Sequence, residues 1–387
     1  MADFRELGIN NEVIELLNAK GIIVPTTVQQ FTIPNVLKGE DVTVRSQTGS
    51  GKTLAYLLPL FQNLSYHTAS KLLVLAPTRE LAQQIGRVCS EYSQTSLAVV
   101  YGGVDYDQQK EMFADDPRII VATPGRLQDL IEQGIAKLSN LRYFLLDEVD
   151  QMVDMGFHDP IMQLAKLRDS RCQTMFFSAT LPDGVVEIIS SISSGCITLS
   201  CDDQPLAAQN ITQSGYYVEQ SMMDQLLLHI IRAKSPDKAI VFCRSKKMAD
   251  RLTSILKESN FAAEAIHSDR SQAAREHILR RFTEGETKIL VATDLMARGI
   301  DVDGVTRVFN FGLPQTPEQY IHRIGRTGRA GACGEAISLL CPDEKKILDA
   351  TCALMRQPIP ISTNHPYMTT AVTTMLSGVA LRKKVRK

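Results

Sequence analysis

Ser46-Gln47-Thr48-Gly49-Ser50-Gly51-Lys52-Thr53 stands between a β-branched run and a Leu- and Ala-rich run, and its reading decides the fold. Val42, Thr43 and Val44, within Asp41 to Arg45, predict a strand; Leu54 to Asn63 has the composition of a helix. A loop at such a junction turns backbone N–H groups toward one point, at the positive end of a helix dipole, and so suits the phosphates of a nucleotide. Gly49 and Gly51 let the backbone approach without a Cβ in the way. Lys52 is placed to reach the terminal phosphates and the Thr53 hydroxyl to ligate magnesium. The general pattern has Gly where Ser46 stands, and a Gly/Ser-rich turn before an ordinary helix is the alternative reading.

Outward from this loop, short strand-like runs alternate with helical stretches along nearly the whole chain, the signature of a parallel sheet wrapped by helices. In the first half the predicted strands are Asp41 to Arg45, Lys71 to Ala76, Leu97 to Tyr101, Arg118 to Ala122, Arg142 to Leu146 and Gln173 to Phe177. Several end in a short polar or glycine motif, where an open α/β sheet places its ligand site. After Ser200 a polar stretch reads as a linker. The pattern then restarts, with strands expected at Thr212 to Val218, Lys238 to Cys243, Ala262 to Ile266, Lys288 to Ala292, Arg307 to Phe311 and Glu335 to Leu340. This second unit carries no Gly-Lys-Thr loop, so one nucleotide site per chain is expected.

With 387 residues, 44% hydrophobic and 22% charged, the chain has room for two ordinary domains, each with its own core. A net charge of -1 makes any basic surface a local one. The eight cysteines form no Cys-x-x-Cys pair and read as buried thiols of a reducing compartment. No apolar run has membrane-spanning or signal-peptide length. The expectation is a cytoplasmic protein, or a nuclear one if the cell has a nucleus, with no membrane partner.

Asp147-Glu148-Val149-Asp150 follows the apolar run Tyr143-Phe144-Leu145-Leu146. A buried strand delivering acids at its end is a usual way to hold magnesium opposite a phosphate loop. Asp147 would orient the metal and Glu148 would polarise the attacking water as general base. The alternative is an acidic N-cap on the next helix.

With these two motifs come Pro25-Thr26-Thr27-Val28-Gln29, Pro77-Thr78-Arg79-Glu80-Leu81-Ala82, Gly102-Gly103, Thr123-Pro124-Gly125-Arg126 and Ser178-Ala179-Thr180. The second half adds Gln272-Ala273-Ala274-Arg275, Ala292 to Asp301 (ATDLMARGID) and His322 to Arg329 (HRIGRTGR). In this order, over roughly residues 4 to 345, the set resembles a DEAD-box ATP-dependent RNA helicase of superfamily 2, with DEVD in place of DEAD. The resemblance implies an α/β fold of two tandem RecA-like domains, each a parallel sheet flanked by helices. It implies a Q-motif region at 1–30, an ATP-binding domain at 31–203, a linker at 204–212, a C-terminal domain at 213–358 and a short tail with a basic end at 359–387.

The resemblance also implies roles. Lys52, Asp147, Glu148, Arg326 and Arg329 would be catalytic, the two arginines as fingers for the γ-phosphate. ATP would be held by Phe4, Gln29, Ser46, Gln47, Thr48, Gly49, Ser50, Gly51, Lys52, Thr53 and Asp301, with Mg2+ on Thr53 and Asp147. Gln29 would pair with the adenine edge, and Phe4 would stack on the base or serve as a core anchor. Asp150, Ser178, Thr180 and His322 would couple nucleotide to RNA. A sequence-indifferent RNA track would use Pro77, Thr78, Arg79, Gly102, Gly103, Thr123, Pro124, Gly125, Arg126, Arg244, Gln272, Arg275, Thr293, Asp294 and Arg298. A surface solubilising charge is the other reading of each arginine.

Family likeness thus implies RNA-stimulated ATP hydrolysis coupled to local unwinding or remodelling of short RNA duplexes and ribonucleoproteins. Targeting would rest on the basic tail (Arg382, Lys383, Lys384, Arg386, Lys387) or on protein partners, and the oligomeric state stays open. Departures from the family are Ser46 for the usual Ala, Ile22 for Phe, Val149 for Ala, Ser268 for Gly and Gly312 for Asp. A DNA-directed helicase of the same superfamily and a non-hydrolysing RNA clamp are the competing readings.

Overall fold

The computed structural model describes residues 3–46, 49–201, 210–294, 302, 304–328, 332–370 and 372–374. Gln47, Thr48, Arg298, Asp301 and Arg329 lie outside the described residues. The chain divides into two compact units, Met1–Asp203 and Gln204–Lys387.

In the first unit the strands are β1 (Val42–Arg45), β2 (Lys71–Leu75), β3 (Leu97–Val100), β4 (Ile119–Ala122), β5 (Leu141–Asp147), β6 (Gln173–Ser178) and β7 (Ile197–Ser200). They pair in parallel in the order β3-β4-β2-β5-β6-β1-β7. Helices cover both faces, so the inner strands read as continuous apolar runs. Successive side chains in each strand feed opposite faces. Leu72, Val74, Tyr143, Leu145, Met175 and Phe177 join one core cluster. Leu73, Leu75, Phe144, Leu146 and Phe176 join the other.

The second unit has β8 (Ile211–Tyr217), β9 (Ala239–Cys243), β10 (Ala263–Ile266), β11 (Ile289–Thr293), β12 (Arg307–Phe311), β13 (Gly334–Leu340) and β14 (Ile361–Ser362). Its order is β10-β11-β9-β12-β13-β8-β14, again parallel. That is the first sheet's order with every strand number raised by seven, so the same doubly wound unit occurs twice. The sequence reading found six strands of each sheet, the edge strands β3 and β10 among them, to within a residue or two and missed the seventh strand of each. Both are short edge strands: β7 is largely exposed and β14 half-buried, so neither carries an apolar run to see.

Two stretches behave differently from their sequence reading. β8 begins at Ile211, inside the expected linker 204–212. The expected tail from 359 is tied to the second sheet: the Gly215 N–H donates to the Pro360 carbonyl at 2.8 Å, and Ile359 and Val372 are buried beside Leu340 and Met355. Of the eight thiols, Cys89, Cys172 and Cys243 are buried and Cys333 is exposed. Among the described residues no helix is long and apolar enough to cross a membrane.

Candidate functional site

Because every strand of the first sheet is parallel, the loops after β1, β5 and β6 leave from the same edge of the sheet. The loop after β1 ends in Gly51, the N-cap of helix α1 (Lys52–Tyr66), in left-handed backbone with φ 92°. A Cβ at Gly51 would lie 2.8 Å from Gln29 Nε2 and 3.1 Å from Thr26 Oγ1. Glycine is required here on both counts. Ser46 and Ser50 share a hydroxyl–hydroxyl bond of 2.9 Å across the loop. The Ser46 hydroxyl, which the family's usual Ala lacks, thus closes the loop on itself. Lys52 is 7% exposed, and its Nζ donates to the Ser46 carbonyl at 3.1 Å.

Gln29 takes a part that its sequence reading lacked. Its Oε1 accepts from the Thr26 N–H at 2.9 Å and its Nε2 donates to the Gly51 carbonyl at 3.2 Å. The amide therefore braces the phosphate loop from behind, leaving one lone pair and one hydrogen for a base edge. Phe4, 3% exposed, packs with Leu7, Ile9 and Val13 in the first core, so of its two readings the structure gives it that of core anchor.

Asp147 closes β5. Its Oδ1 accepts from the Glu148 N–H at 3.0 Å, and its Oδ2 accepts from the Tyr56 hydroxyl at 2.9 Å. Tyr56 stands one helical turn after Lys52, on the same face of the helix. Sequence reasoning missed Tyr56 because the contact spans 91 residues. Burial, and then the charge of Asp147, push the Tyr56 hydroxyl well above its ordinary value. Asp147 itself is pushed up to about 6, by burial first and by Glu148, against the opposing charge of Lys52.

A raised carboxyl is one whose charged form the fold disfavours. The penalty is absent below the ordinary value of 3.8, grows as pH rises toward about 6, and is complete at pH 7. Asp147→Asn should therefore stabilise the ligand-free protein at pH 7 by about 1 to 3 kcal/mol. Melting in nucleotide-free, metal-free buffer checks this: the gain should shrink on acidification below pH 5, and a gain that is absent or insensitive to pH would refute the assignment.

Glu148 sits at φ 54°, ψ 53°, a left-handed conformation that costs a non-glycine residue about 1 kcal/mol or more. It is 6% exposed and its Oε2 is buried with no hydrogen-bond partner. Glu148 occupies the N-cap position of the helix Val149–Asp154, but its side chain makes no capping hydrogen bond. Val149, one residue on, is fully buried in the second core cluster, which accommodates its extra methyls.

Asp150 ties this strand end to the next. Its Oδ2 accepts from the Thr180 N–H and from the Thr180 hydroxyl, each at 3.0 Å. The Ser178 hydroxyl accepts from the Asp150 N–H at 3.3 Å and donates to the Thr180 carbonyl at 2.6 Å. The Ser178 carbonyl accepts from the Ser46 N–H at 3.0 Å. Phosphate loop, acidic motif and Ser178-Ala179-Thr180 are thereby one hydrogen-bonded unit.

At the same sheet edge, Thr78 caps the helix that begins with Arg79, accepting from the Leu81 N–H at 3.3 Å, with Pro77 buried before it. The Arg79 guanidinium lies against Gly102 and Gly103, and a Cβ at Gly103 would be 2.5 Å from its Nη1. Thr123 occupies the N-cap position of the helix Pro124–Glu132, without a side-chain capping bond, and that helix carries Gly125 and Arg126. At Gly125 no protein atom lies within 4 Å of where a Cβ would stand, so that side of the backbone is open.

In the second unit Arg275 is buried, and its Nη1 donates to Gln272 Oε1 at 3.2 Å. Thr293 ends β11. Asp294 is engaged by Arg323 through both carboxylate oxygens, Arg323 Nη2 to Oδ2 at 2.8 Å, and Arg323 is only 1% exposed. Asp294 therefore braces Arg323 while remaining partly exposed. Arg244 is exposed, donates through Nε to the Leu313 carbonyl at 2.8 Å and pairs with buried Glu344. A Cβ at Gly312, where φ is 81°, would stand 3.2 Å from Glu344 Oε1. The Glu344 carboxylate thus stands beside the place of the Asp that the family carries at this position. His322 and Arg326 are buried on and just after the helix Pro317–Ile324, and Arg326 Nε donates to the His322 carbonyl at 3.2 Å.

The residues present suit a magnesium nucleotide. A glycine cradle stands at a helix start, a buried carboxyl is raised by its burial and by the neighbouring Glu148, and the Glu148 carboxylate oxygen is unpartnered.

Comparison with known proteins agrees with this fold. Residues 26–188 match the DEAD/DEAH box helicase family, and residues 221–331 match the Helicase conserved C-terminal domain. The DEAD-box ATP-dependent RNA helicase CshA of Bacillus cereus is 39% identical over 348 residues, covering 89% of this chain and 66% of that protein. This chain thus spans about two thirds of that relative's length. The protein of the same name from Geobacillus kaustophilus is 38% identical over 348 residues, covering 89% of this chain and 74% of that protein. The solved structure of Mss116p, with its NTE and C-tail deleted and bound to ssRNA and AMP-PNP, superposes with a TM-score of 0.85 at 30% identity, covering 97% of this chain and 81% of that one. On the motifs, the doubled RecA-like fold and these likenesses, the chain belongs to the DEAD-box ATP-dependent RNA helicase family.

Proposed function

We propose that this protein hydrolyses ATP in response to single-stranded RNA and uses the cycle to unwind or remodel short RNA duplexes and ribonucleoproteins. The observation that carries the reading is the unpartnered Glu148 carboxylate oxygen held, on strained backbone, beside Asp147 and the Lys52 loop.

The backbone N–H groups of the Gly49 to Lys52 turn and the start of the following helix bind the phosphates. Lys52 leaves the Ser46 carbonyl for a phosphate oxygen. Magnesium, when bound by the Thr53 hydroxyl and Asp147, neutralises charge on the phosphates. Tyr56 holds the Asp147 carboxylate in place, and Glu148 takes a proton from the attacking water at its free Oε2. Family likeness assigns Arg326 and Arg329 to the γ-phosphate as sources of positive charge. By family likeness the Asp150–Thr180–Ser178 bonds couple the nucleotide at the loop to RNA, and RNA favours the hydrolysing state.

Arg79, Thr78, Thr123 and Arg126 in the first unit, and Gln272, Arg275 and Thr293 in the second, form the RNA track. Such contacts read sugar and phosphate, so the core is indifferent to base sequence. Residues 31–203 and 213–358 serve as the two helicase domains, in the cytoplasm. The Mss116p complex with ssRNA and AMP-PNP supports both ligands.

Steady-state ATP hydrolysis, with and without matched RNA and DNA oligonucleotides of one sequence, tests the proposal. Turnover should rise at least tenfold with RNA and less with DNA. Equal stimulation by both would give the protein to DNA as much as to RNA, and no stimulation by either would end the coupled reading.

A further inference from the structure

Arg126 stands on the helix Pro124–Glu132, and its guanidinium is fixed on three sides. Its carbon lies 3.5 Å from the centroid of the Tyr106 ring, stacked on the ring face. Its Nε donates to Gln109 Oε1 at 2.7 Å and its Nη2 donates to the Val104 carbonyl at 2.8 Å. Tyr106 and Gln109 lie three apart on the helix Tyr106–Ala114, hence on one face of it. Gln109 is fully buried, and its Nε2 donates to the Tyr101 carbonyl at 2.8 Å, which pins the loop bearing Gly102 and Gly103. Tyr106 is 38% exposed.

We infer that Tyr106 is a positioning residue for RNA: its ring holds the Arg126 guanidinium so that Nη1 and the remaining Nη2 hydrogen face a backbone phosphate. The inference rests on the RNA reading above. A free arginine samples many rotamers and loses that freedom on binding, whereas one stacked on an aromatic face and held by two acceptors is ordered beforehand. Of the five guanidinium donors these bonds use two, and the fork that remains suits a phosphate. The stack also leaves the positive charge intact, because the ring face, unlike a carboxylate, does not compete with phosphate for it.

The test is a double-mutant cycle on the full chain, read by the RNA concentration that half-saturates ATP turnover and by anisotropy of a fluorescein-labelled oligouridylate with AMP-PNP present. Tyr106→Leu keeps bulk and removes the π face; Tyr106→Phe keeps the ring. Tyr106→Leu should raise the half-saturating RNA concentration about 5- to 30-fold with turnover at saturating RNA within about twofold of the parent. Tyr106→Phe should stay within about twofold, and in an Arg126→Ala background Tyr106→Leu should add less than about twofold. Equal RNA affinity for Tyr106→Leu and the parent would overturn the inference, as would an undiminished loss in the Arg126→Ala background. If the parent itself neither binds nor responds to the RNA, the functional reading has failed; if the parent responds and only the Tyr106 arms do not, the inference alone has. Melting of each variant within 2 °C of the parent, against an expected shift of several degrees for a damaged fold, keeps the comparison sound.

Discussion

RNA-stimulated ATP turnover should fall roughly 10²- to 10⁴-fold when Glu148 is replaced by Gln, the range that a positioned general base contributes. The amide is isosteric, so the left-handed backbone at φ 54° and the 6% exposure of this residue remain. Only the proton-accepting oxygen is lost. ATP and RNA affinities should each stay within about twofold, since the phosphate loop and the track do not touch this atom. Pre-steady-state turnover with saturating RNA separates the two quantities. Turnover within tenfold of the parent would mean that another group receives the proton, and the unpartnered Oε2 would then need a different account.

Nucleotide affinity should fall by about 10²- to 10³-fold in Lys52→Ala. Removing one partner of a buried charged contact costs about 2 to 5 kcal/mol, and each 1.4 kcal/mol is tenfold. Lys52 is 7% exposed and its charge opposes the upward shift of Asp147, so its removal has a second consequence. Asp147 moves further up, and the ligand-free protein becomes less stable at pH 7. Adding Asp147→Asn should restore that stability without restoring nucleotide affinity. Fluorescent-nucleotide titration reads the first effect and thermal melting the second. Affinity lowered less than fivefold would show that the backbone cradle alone holds the phosphates.

The two effects differ in kind because the residues stand in different relations to the substrate. Lys52 meets charge already present on the phosphates, so its loss appears in binding. Glu148 meets charge that develops in the transition state, so its loss appears in the rate.

What was legible in the sequence was local chemistry. The strand, Gly-x-Gly-Lys-Thr turn and helix at the phosphate loop are contiguous, and each inner strand announced itself by an apolar run that two covered faces require. The acidic motif was legible for the same reason, as the end of such a run. The edge strands Ile197–Ser200 and Ile361–Ser362 were not, because a strand with one neighbour and exposed faces needs no apolar pattern.

The sequence by itself determined the fold class, the doubled unit and the residue types at the site, since these follow from periodicity and from motifs a few residues long. Only the tertiary structure decided how those residues are held. Gln29 braces Gly51 across 22 residues, Tyr56 reaches Asp147 across 91, and Arg323 holds Asp294 across 29. The order of the strands brings Ser46 beside Ser178 and buries Phe4 in the core. The physical reason is separation along the chain: a hydrogen bond between distant residues depends on which strands become neighbours, and that is settled by burying both faces of a seven-stranded sheet at once.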